Sequence, residues 1–327
     1  MRAEQMGQMP PRIGPVPDGV PRPLWSVMIP AYNCAKYLQQ TLESVLVQAP
    51  APEQMQIEVV DDCSTKDDPE EVVRNVGQGR VVFHRKPRNE GAIANFNTCI
   101  HRSRGQLLHI LHGDDYVLPG FYAHLGELAV RHSQCALYAT RAFLVDEQGV
   151  ILGVTARLRE LEGGSQVTDS FFYGTRIQTP GVVVRREFYE GHGGFHPALV
   201  HTADCEMWAR ATALAGGLVS PEVLACYRFF AANDSSRLMR TADNLRDIVR
   251  LNDLFAERYP SFDRHKALYR VCDLALEQIE RFSRSQDWEA VQANRKFWRT
   301  NAPWSLRARR SLGRMVRRVS GGRADRS

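Results

Sequence analysis

The chain has 327 residues, 43% of them hydrophobic and 24% charged, with a net charge of +5. These are ordinary globular values; they exclude a disordered, collagen-like or coiled-coil chain and leave room for one large α/β domain with a helical appendage, or for two domains. Eight Arg against one Asp from Pro303 to Ser327 account for the positive balance, so the body of the chain is slightly acidic and the basicity belongs to the tail. No apolar run approaches the roughly 18 to 20 residues that cross a bilayer, and the N-terminus carries prolines and polar residues where an export signal needs an apolar stretch. Seven scattered cysteines with no C-x-x-C pair suggest neither a disulfide framework nor a zinc site and fit a reducing cytosol.

Residues 1–22, with Pro10, Pro11, Pro15, Pro17 and Pro21, read as a flexible leader. From Leu24 short apolar runs alternate with helical periodicity. A strand is expected over Trp25–Ile29, a helix over Ala35–Gln48, a strand over Gln56–Val60, a helix near Asp68–Val76, a strand over Arg80–His84, a helix over Gly91–Ser103 and a strand over Gln106–Leu111. Four strands with helices between them predict a mostly parallel, doubly wound sheet. Residues 136–230 read as a less regular mixture broken at Gly163-Gly164, Gly193-Gly194 and Gly216-Gly217. From Thr241 to Arg299 the period is helical, with Leu245, Ile248, Val249, Asn252 and Phe255 on one face and Leu268, Val271, Cys272, Ala275, Leu276 and Ile279 on another.

Doubly wound sheets bind ligands beyond the carboxyl ends of their strands. Three strand ends carry polar residues there: Pro30-Ala31-Tyr32-Asn33, Asp61-Asp62-Cys63-Ser64 and His112-Gly113-Asp114-Asp115. Adjacent carboxylates repel unless donors or a cation compensate them. A hard divalent ion that takes one or two carboxylates plus phosphate oxygens is one compensation; capping of a following helix or turn is the other, and spacing alone leaves both open.

Taken in order, Ser26-Val27-Met28-Ile29-Pro30-Ala31-Tyr32-Asn33, Val59-Val60-Asp61-Asp62-Cys63-Ser64, Asn89-Glu90-Gly91 through Asn95-Phe96-Asn97, and Leu111-His112-Gly113-Asp114-Asp115 through Pro119 resemble family 2 glycosyltransferases of the GT-A fold over roughly residues 24–235. The resemblance implies a Rossmann-like, mostly parallel α/β domain over residues 23–240; the helical period adds a C-terminal subdomain over 241–302, and the charge distribution a basic tail over 303–327. It implies a nucleotide-sugar donor, with a UDP-sugar the expected form. The donor side would comprise Pro30, Ala31, Tyr32 and Asn33 after the first strand, Asp62 at the nucleoside, and Asn89, Gly91 and Asn95. Asp114 would ligate Mn²⁺ or Mg²⁺ on the diphosphate with Asp115 in support.

The segment His201-Thr202-Ala203-Asp204-Cys205-Glu206-Met207-Trp208 resembles the family's helix start that supplies the general base, which makes Asp204 the candidate. Its bland reading is a helix cap, with Glu206 a first-turn acid on the macrodipole. One base and no enzyme nucleophile imply inversion at the anomeric carbon; a hydroxyl of a saccharide or lipid-linked molecule is the acceptor. Three positions depart from the family pattern. His112 replaces the first Asp of D-x-D, Phe230 occupies the place of a His near the diphosphate, for which Arg228 or His201 could substitute, and Phe96 stands where many members have Arg. His112 and Phe230 motivate the alternative of a catalytically silent nucleotide-sugar-binding or scaffold protein of this fold.

In the tail, Trp304, Ala308, Leu312, Met315, Val316 and Val319 fall at helical spacing with Arg309, Arg310, Arg314, Arg317 and Arg318 between them. That pattern suits a peripheral contact of residues 303–319 with an anionic membrane surface at the inner face of the cell membrane, or a solvated charged end. No nucleic acid partner is expected, since the segment holds one aromatic and no recognition motif. Pro30-Ala31-Tyr32-Asn33 excludes a dinucleotide-dependent oxidoreductase, which needs G-x-G-x-x-G there, and a sugar nucleotidyltransferase, which needs a Gly-rich basic loop.

Overall fold

The computed structural model describes residues 9–157, 171–173, 177–230 and 234–308. The chain divides into two compact units, residues 1–231 and 232–327. In the first, β1 (Trp25–Ala31) and β2 (Met55–Asp61) are buried along their whole length, as continuous apolar runs must be when both faces of a sheet are covered. They pair in parallel with each other and, outward, with β4 (Leu107–Ile110) and β3 (Val82–Arg85). The crossovers are α1 (Ala35–Leu46), α2 (Pro69–Gly77) and α3 (Ala92–Arg102). This is the four-stranded parallel half that the alternation in the sequence predicts.

Apolar spacing explains the layers. Leu38, Leu42 and Val45 share one face of α1 and pack with Val27, Ile29, Ile57 and Val59. Truncating Leu42, which is fully buried, costs about 2–5 kcal/mol in lost transfer energy and cavity.

Beyond β4 the sheet becomes mixed. The chain runs through β5 (Tyr116–Val117), α4 (Phe121–Arg131), β6 (Leu137–Val145), β7 (Ile151–Val154), a 3-10 turn at Thr179–Gly181, β8 (Val182–Arg185), α5 (Arg186–His192), α6 (Ala203–Ala215) and β9 (Gly217–Arg228). Strand β8 lies antiparallel between β4 and β6; β9 is parallel to β6 and antiparallel to the short β5. With β7 on β6, the described residues form one nine-stranded sheet, whose main path is β3-β2-β1-β4-β8-β6-β9-β5.

The expectation of a flexible leader fails for residues 9–22. Ile13 is buried, the Pro11 carbonyl accepts the Gly194 N–H at 2.9 Å, and the Gly14 carbonyl accepts from the Arg186 guanidinium. Proline lowers the entropy lost on docking, and one buried isoleucine with satisfied carbonyls suffices where composition counted too little apolar surface.

The second unit holds α7 (Asp234–Thr241), α8 (Asp243–Arg258), α9 (Arg264–Arg284) and α10 (Trp288–Asn301). Ala242, Leu245, Val271, Ala275 and Phe297 form its core, with Ile248 and Val249 against them. Asp263 and Asp287 cap α9 and α10 by accepting the N–H groups of Lys266 and Ala290, the role short acidic side chains fill best. Among the described residues no helix is long and apolar enough to cross a membrane. Arg309, Arg310, Arg314, Arg317 and Arg318, on which the amphipathic reading of the tail rests, lie outside the described residues.

Candidate active site

The carboxyl end of β1 is flanked by the ends of β2 and β4. The Asp62 N–H donates to the Ala31 carbonyl at 2.9 Å and the Gly113 N–H to the Pro30 carbonyl at 3.1 Å, so the three polar strand ends share one edge. Gly113 is required for this approach, because a Cβ there would come within 2.7 Å of Cys34 Sγ. Pro30 and Ala31 are buried in the strand and Tyr32 is 48% exposed. Asn33, at φ +50°, accepts the N–H groups of Thr65 and Lys66 at 3.0 Å each, tying the β1 exit to the β2 exit.

Asp62 is only 2% exposed, and its carboxylate is already engaged. Lys86 Nζ lies at 2.7 Å, and the Glu90 and Gly91 N–H groups donate to it at 3.1 Å and 2.8 Å. Gly91, at φ +89°, caps α3 in a conformation that L side chains avoid. Asn89 donates to the Asp62 carbonyl, and buried Asn95 donates to the Val60 carbonyl at 2.8 Å. Asp62, Asn89, Gly91 and Asn95 therefore pin the start of α3 onto the end of β2. Lys86 is the member that sequence reasoning missed; it also meets Glu90 at 2.8 Å, but both lie in the loop between β3 and α3, where spacing carries no signal.

At the end of β4, His112, Asp114 and Asp115 each offer a ligand atom, and these atoms lie within 4.8 Å of one another. Trans donors on a six-coordinate ion with bonds of about 2.1 Å stand about 4.2 Å apart, so a spread of up to 4.8 Å needs the donors to close by a few tenths of an ångström around one small divalent cation. One oxygen of Asp115 accepts the Arg228 N–H at 2.8 Å; the other, Oδ2, is buried with no hydrogen-bond partner. An orphaned buried carboxylate oxygen is costly, and a cation would satisfy it. Burial raises the Asp114 carboxyl to about 6 against the pull of Arg228, and burial plus Asp114 raises Asp115 well above the usual carboxylate range. Burial likewise lowers His112 to about 4, leaving a neutral imidazole at pH 7. The donor set is thus a carboxyl pair of raised proton affinity beside an uncharged nitrogen.

Arg228 does not stand in for the missing His. Its guanidinium donates to the carbonyls of Asp114, Asp146 and Glu147 and to Gln40, and it lies 4.8 Å from the Tyr37 ring centroid. It is a buried clasp on the acidic turn. Phe230 packs on Tyr37 at 5.1 Å.

Asp204 begins α6 and is partly buried. Its Oδ1 accepts the Cys205 N–H at 2.7 Å, and Thr179 Oγ1 approaches Oδ2 at 3.4 Å. Burial raises its pKa; His201, the Cys205 N–H and Thr179 oppose the rise. Glu206, the other first-turn acid, is buried and paired with Arg210 at 3.0 Å, which in turn donates to the carbonyls of His192 and Gly194. Of the two acids at this helix start, Asp204 is the less buried.

Two runs of contact link the neighbourhood of Asp204 with β4 and the turn that follows it. His109 on β4 bonds the Pro180 carbonyl at 3.0 Å, next to Thr179. Phe96 stacks on His112 at 4.9 Å and meets Phe195 at 5.6 Å, which meets Trp208 of α6 at 6.0 Å.

The profile of glycosyl transferase family 2 matches residues 26–187, and an uncharacterised Mycobacterium tuberculosis protein, MT1568, is 30% identical over 241 residues, covering 70% of this chain and 75% of its own. The chain belongs to glycosyl transferase family 2. Solved GT-A structures agree in fold. Staphylococcus aureus TarS 1–349 in complex with UDP-GlcNAc superposes with a TM-score of 0.55 at 15% identity, covering 86% of this chain and 93% of TarS. The Pyrobaculum calidifontis mannosyltransferase PcManGT in complex with GDP-Man and Mn²⁺ gives 0.52 at 16% identity, over 97% and 86% of the two chains. The family 2 assignment makes this chain a transferase of sugars.

Proposed function

We propose that this family 2 member is a metal-dependent, inverting glycosyltransferase that moves a sugar from a nucleoside diphosphate to a hydroxyl of a saccharide or lipid-linked acceptor. The observation that carries the reading is the orphaned Asp115 oxygen beside Asp114 and His112 at the sheet edge, a donor set suited to the cation that a diphosphate brings. TarS and PcManGT, solved with UDP-GlcNAc and with GDP-Man and Mn²⁺, support a nucleotide-sugar donor.

Tyr32, exposed after β1, offers a face for the base, and the Asp62–Lys86 pair holds the adjoining loop rigid. Asp204 takes the proton of the acceptor hydroxyl as its oxygen bonds to the anomeric carbon; the bond from that carbon to the diphosphate oxygen breaks, and the electron pair leaves with the nucleotide. The raised pKa of Asp204 brings its basicity closer to neutral pH, where general-base catalysis is most effective. When bound, the cation stabilises the negative charge growing on the leaving diphosphate. Attack from the side opposite the leaving group inverts the anomeric configuration.

The test is a thermal-shift panel of UDP, GDP, CDP and dTDP with and without Mn²⁺, followed by proton NMR of the product anomer. A stabilisation by one nucleotide that needs Mn²⁺ and disappears in Asp114→Ala is expected. Binding without turnover of any donor would instead make the chain a silent binder.

A further inference from the structure

The metal-binding turn of this chain presents a nitrogen where the resembling family has an oxygen, and the geometry around that nitrogen is built rather than incidental. His112 is stacked face to face on Phe96, ring centroids 4.9 Å apart and planes 15° apart, and Phe96 is itself braced edge-on by Phe195. The imidazole plane is therefore fixed, and its ring edge is what remains for contact. His112 Nδ1 lies 3.6 Å from Asp115 Oδ2, too far for a good hydrogen bond and close enough for two donors to one ion. Asp115 Oδ2, which faces His112 Nδ1, is buried with no hydrogen-bond partner. Asp115 is 1% exposed, and its second oxygen is held by the Arg228 N–H, so the orphaned oxygen cannot turn to water without breaking that bond.

We propose that His112 is a direct ligand of the cation, giving a mixed imidazole–carboxylate site that discriminates in favour of Mn²⁺ over Mg²⁺. Imidazole suits transition ions, whereas Mg²⁺ prefers oxygen and sheds water reluctantly. In this site the third donor is an imidazole nitrogen supplied by the protein, and an all-oxygen ion gains least from it. The inference rests on the proposed metal site but goes beyond it: the metal reading needs only Asp114 and Asp115.

The test titrates the full-length protein with MnCl₂ alone, reading free Mn²⁺ by continuous-wave EPR and bound Mn²⁺ by pulsed EPR for nitrogen hyperfine coupling. Wild type should show nitrogen coupling, and His112→Asp should bind Mn²⁺ without it. Relative to wild type, His112→Ala should weaken Mn²⁺ about tenfold or more and leave Mg²⁺, measured by competition, within about threefold. Circular dichroism of each variant checks folding, and the wild-type spectrum needs no variant. Bound Mn²⁺ without nitrogen coupling in wild type overturns the proposal while leaving the carboxylate site intact, as does coupling that persists in His112→Asp. Loss of Mn²⁺ binding in Asp114→Ala together with unchanged binding in His112→Ala also overturns it and keeps the wider functional reading. No Mn²⁺ binding to wild type overturns the proposal, whereas the wider functional reading falls only if the nucleotide panel with Mn²⁺ also shows no shift.

Discussion

Asp204 and Glu206 share one helical turn, but their partners differ. Glu206 is closed off by Arg210, whereas Thr179 approaches the Asp204 carboxylate at a long 3.4 Å. Asp204→Asn keeps the shape and the acceptor for the Cys205 N–H but cannot take a proton; kcat should fall about a hundredfold or more while the nucleotide Kd is unchanged, measured by initial rates and calorimetry.

The acidic turn makes a pH prediction of defined sign. Asp114 is raised to about 6 and Asp115 further, so the folded apoprotein holds their protons more tightly than the unfolded chain. The stability this contributes is full below the ordinary carboxylate pKa and is lost as pH rises through about 6. With EDTA present, Tm should therefore drop from about pH 5 to pH 7.5 relative to Asp114→Asn. Mn²⁺ should restore it at the higher pH and do little at the lower, where protons occupy the ligands. A Tm difference from Asp114→Asn that stays constant across that range would refute the shift.

At the scale of elements, the end of β2 and the start of α3 are joined through one buried carboxylate. Asp62 accepts two backbone N–H groups and faces Lys86, whose side chain is 5% exposed. Removing one partner of a buried pair strands the other charge, at a cost of about 3–5 kcal/mol. Lys86→Met should lower stability by about that amount in urea unfolding, whereas Arg88→Met, at an exposed pair with Glu90, should change it by under about 1 kcal/mol. The strand-end motifs made Asp62 legible as a site residue. That its carboxylate is spent on the loop before α3 was not legible, because hydrogen bonding across 24 to 29 residues has no signature in spacing. Arg228 is the parallel case: the sequence offered it as a diphosphate contact, but its carbonyl partners come from two other loops.

At the scale of the whole molecule, the sugar-transfer motifs all lie in the first unit, and the second has an apolar core of its own around Phe297 and Val271. Phe297→Ala removes a ring that is 3% exposed and should cost the helical unit about 3–5 kcal/mol. Circular-dichroism melting should report that loss while Mn²⁺ affinity at the β4 turn stays within about twofold, since sites without shared partners add nearly independently. A matching fall in Mn²⁺ affinity would show the two units to be coupled.

Sequence by itself determined the parallel half of the sheet, because β1, β2 and β4 are buried and each strand and crossover helix carries its own period. It also determined which strand ends bear chemistry, since Asp and Asn cluster there without a local packing reason. Tertiary structure decided which of those groups remain open. Asp62, Asn95 and Arg228 are consumed by main-chain and ionic partners distant in sequence, whereas Asp115 keeps an oxygen without one. The docking of residues 9–22 was decided in the same way. Local pattern encodes the backbone's hydrogen bonding and the direction of each side chain; only the assembled sheet fixes which donors arrive to meet it.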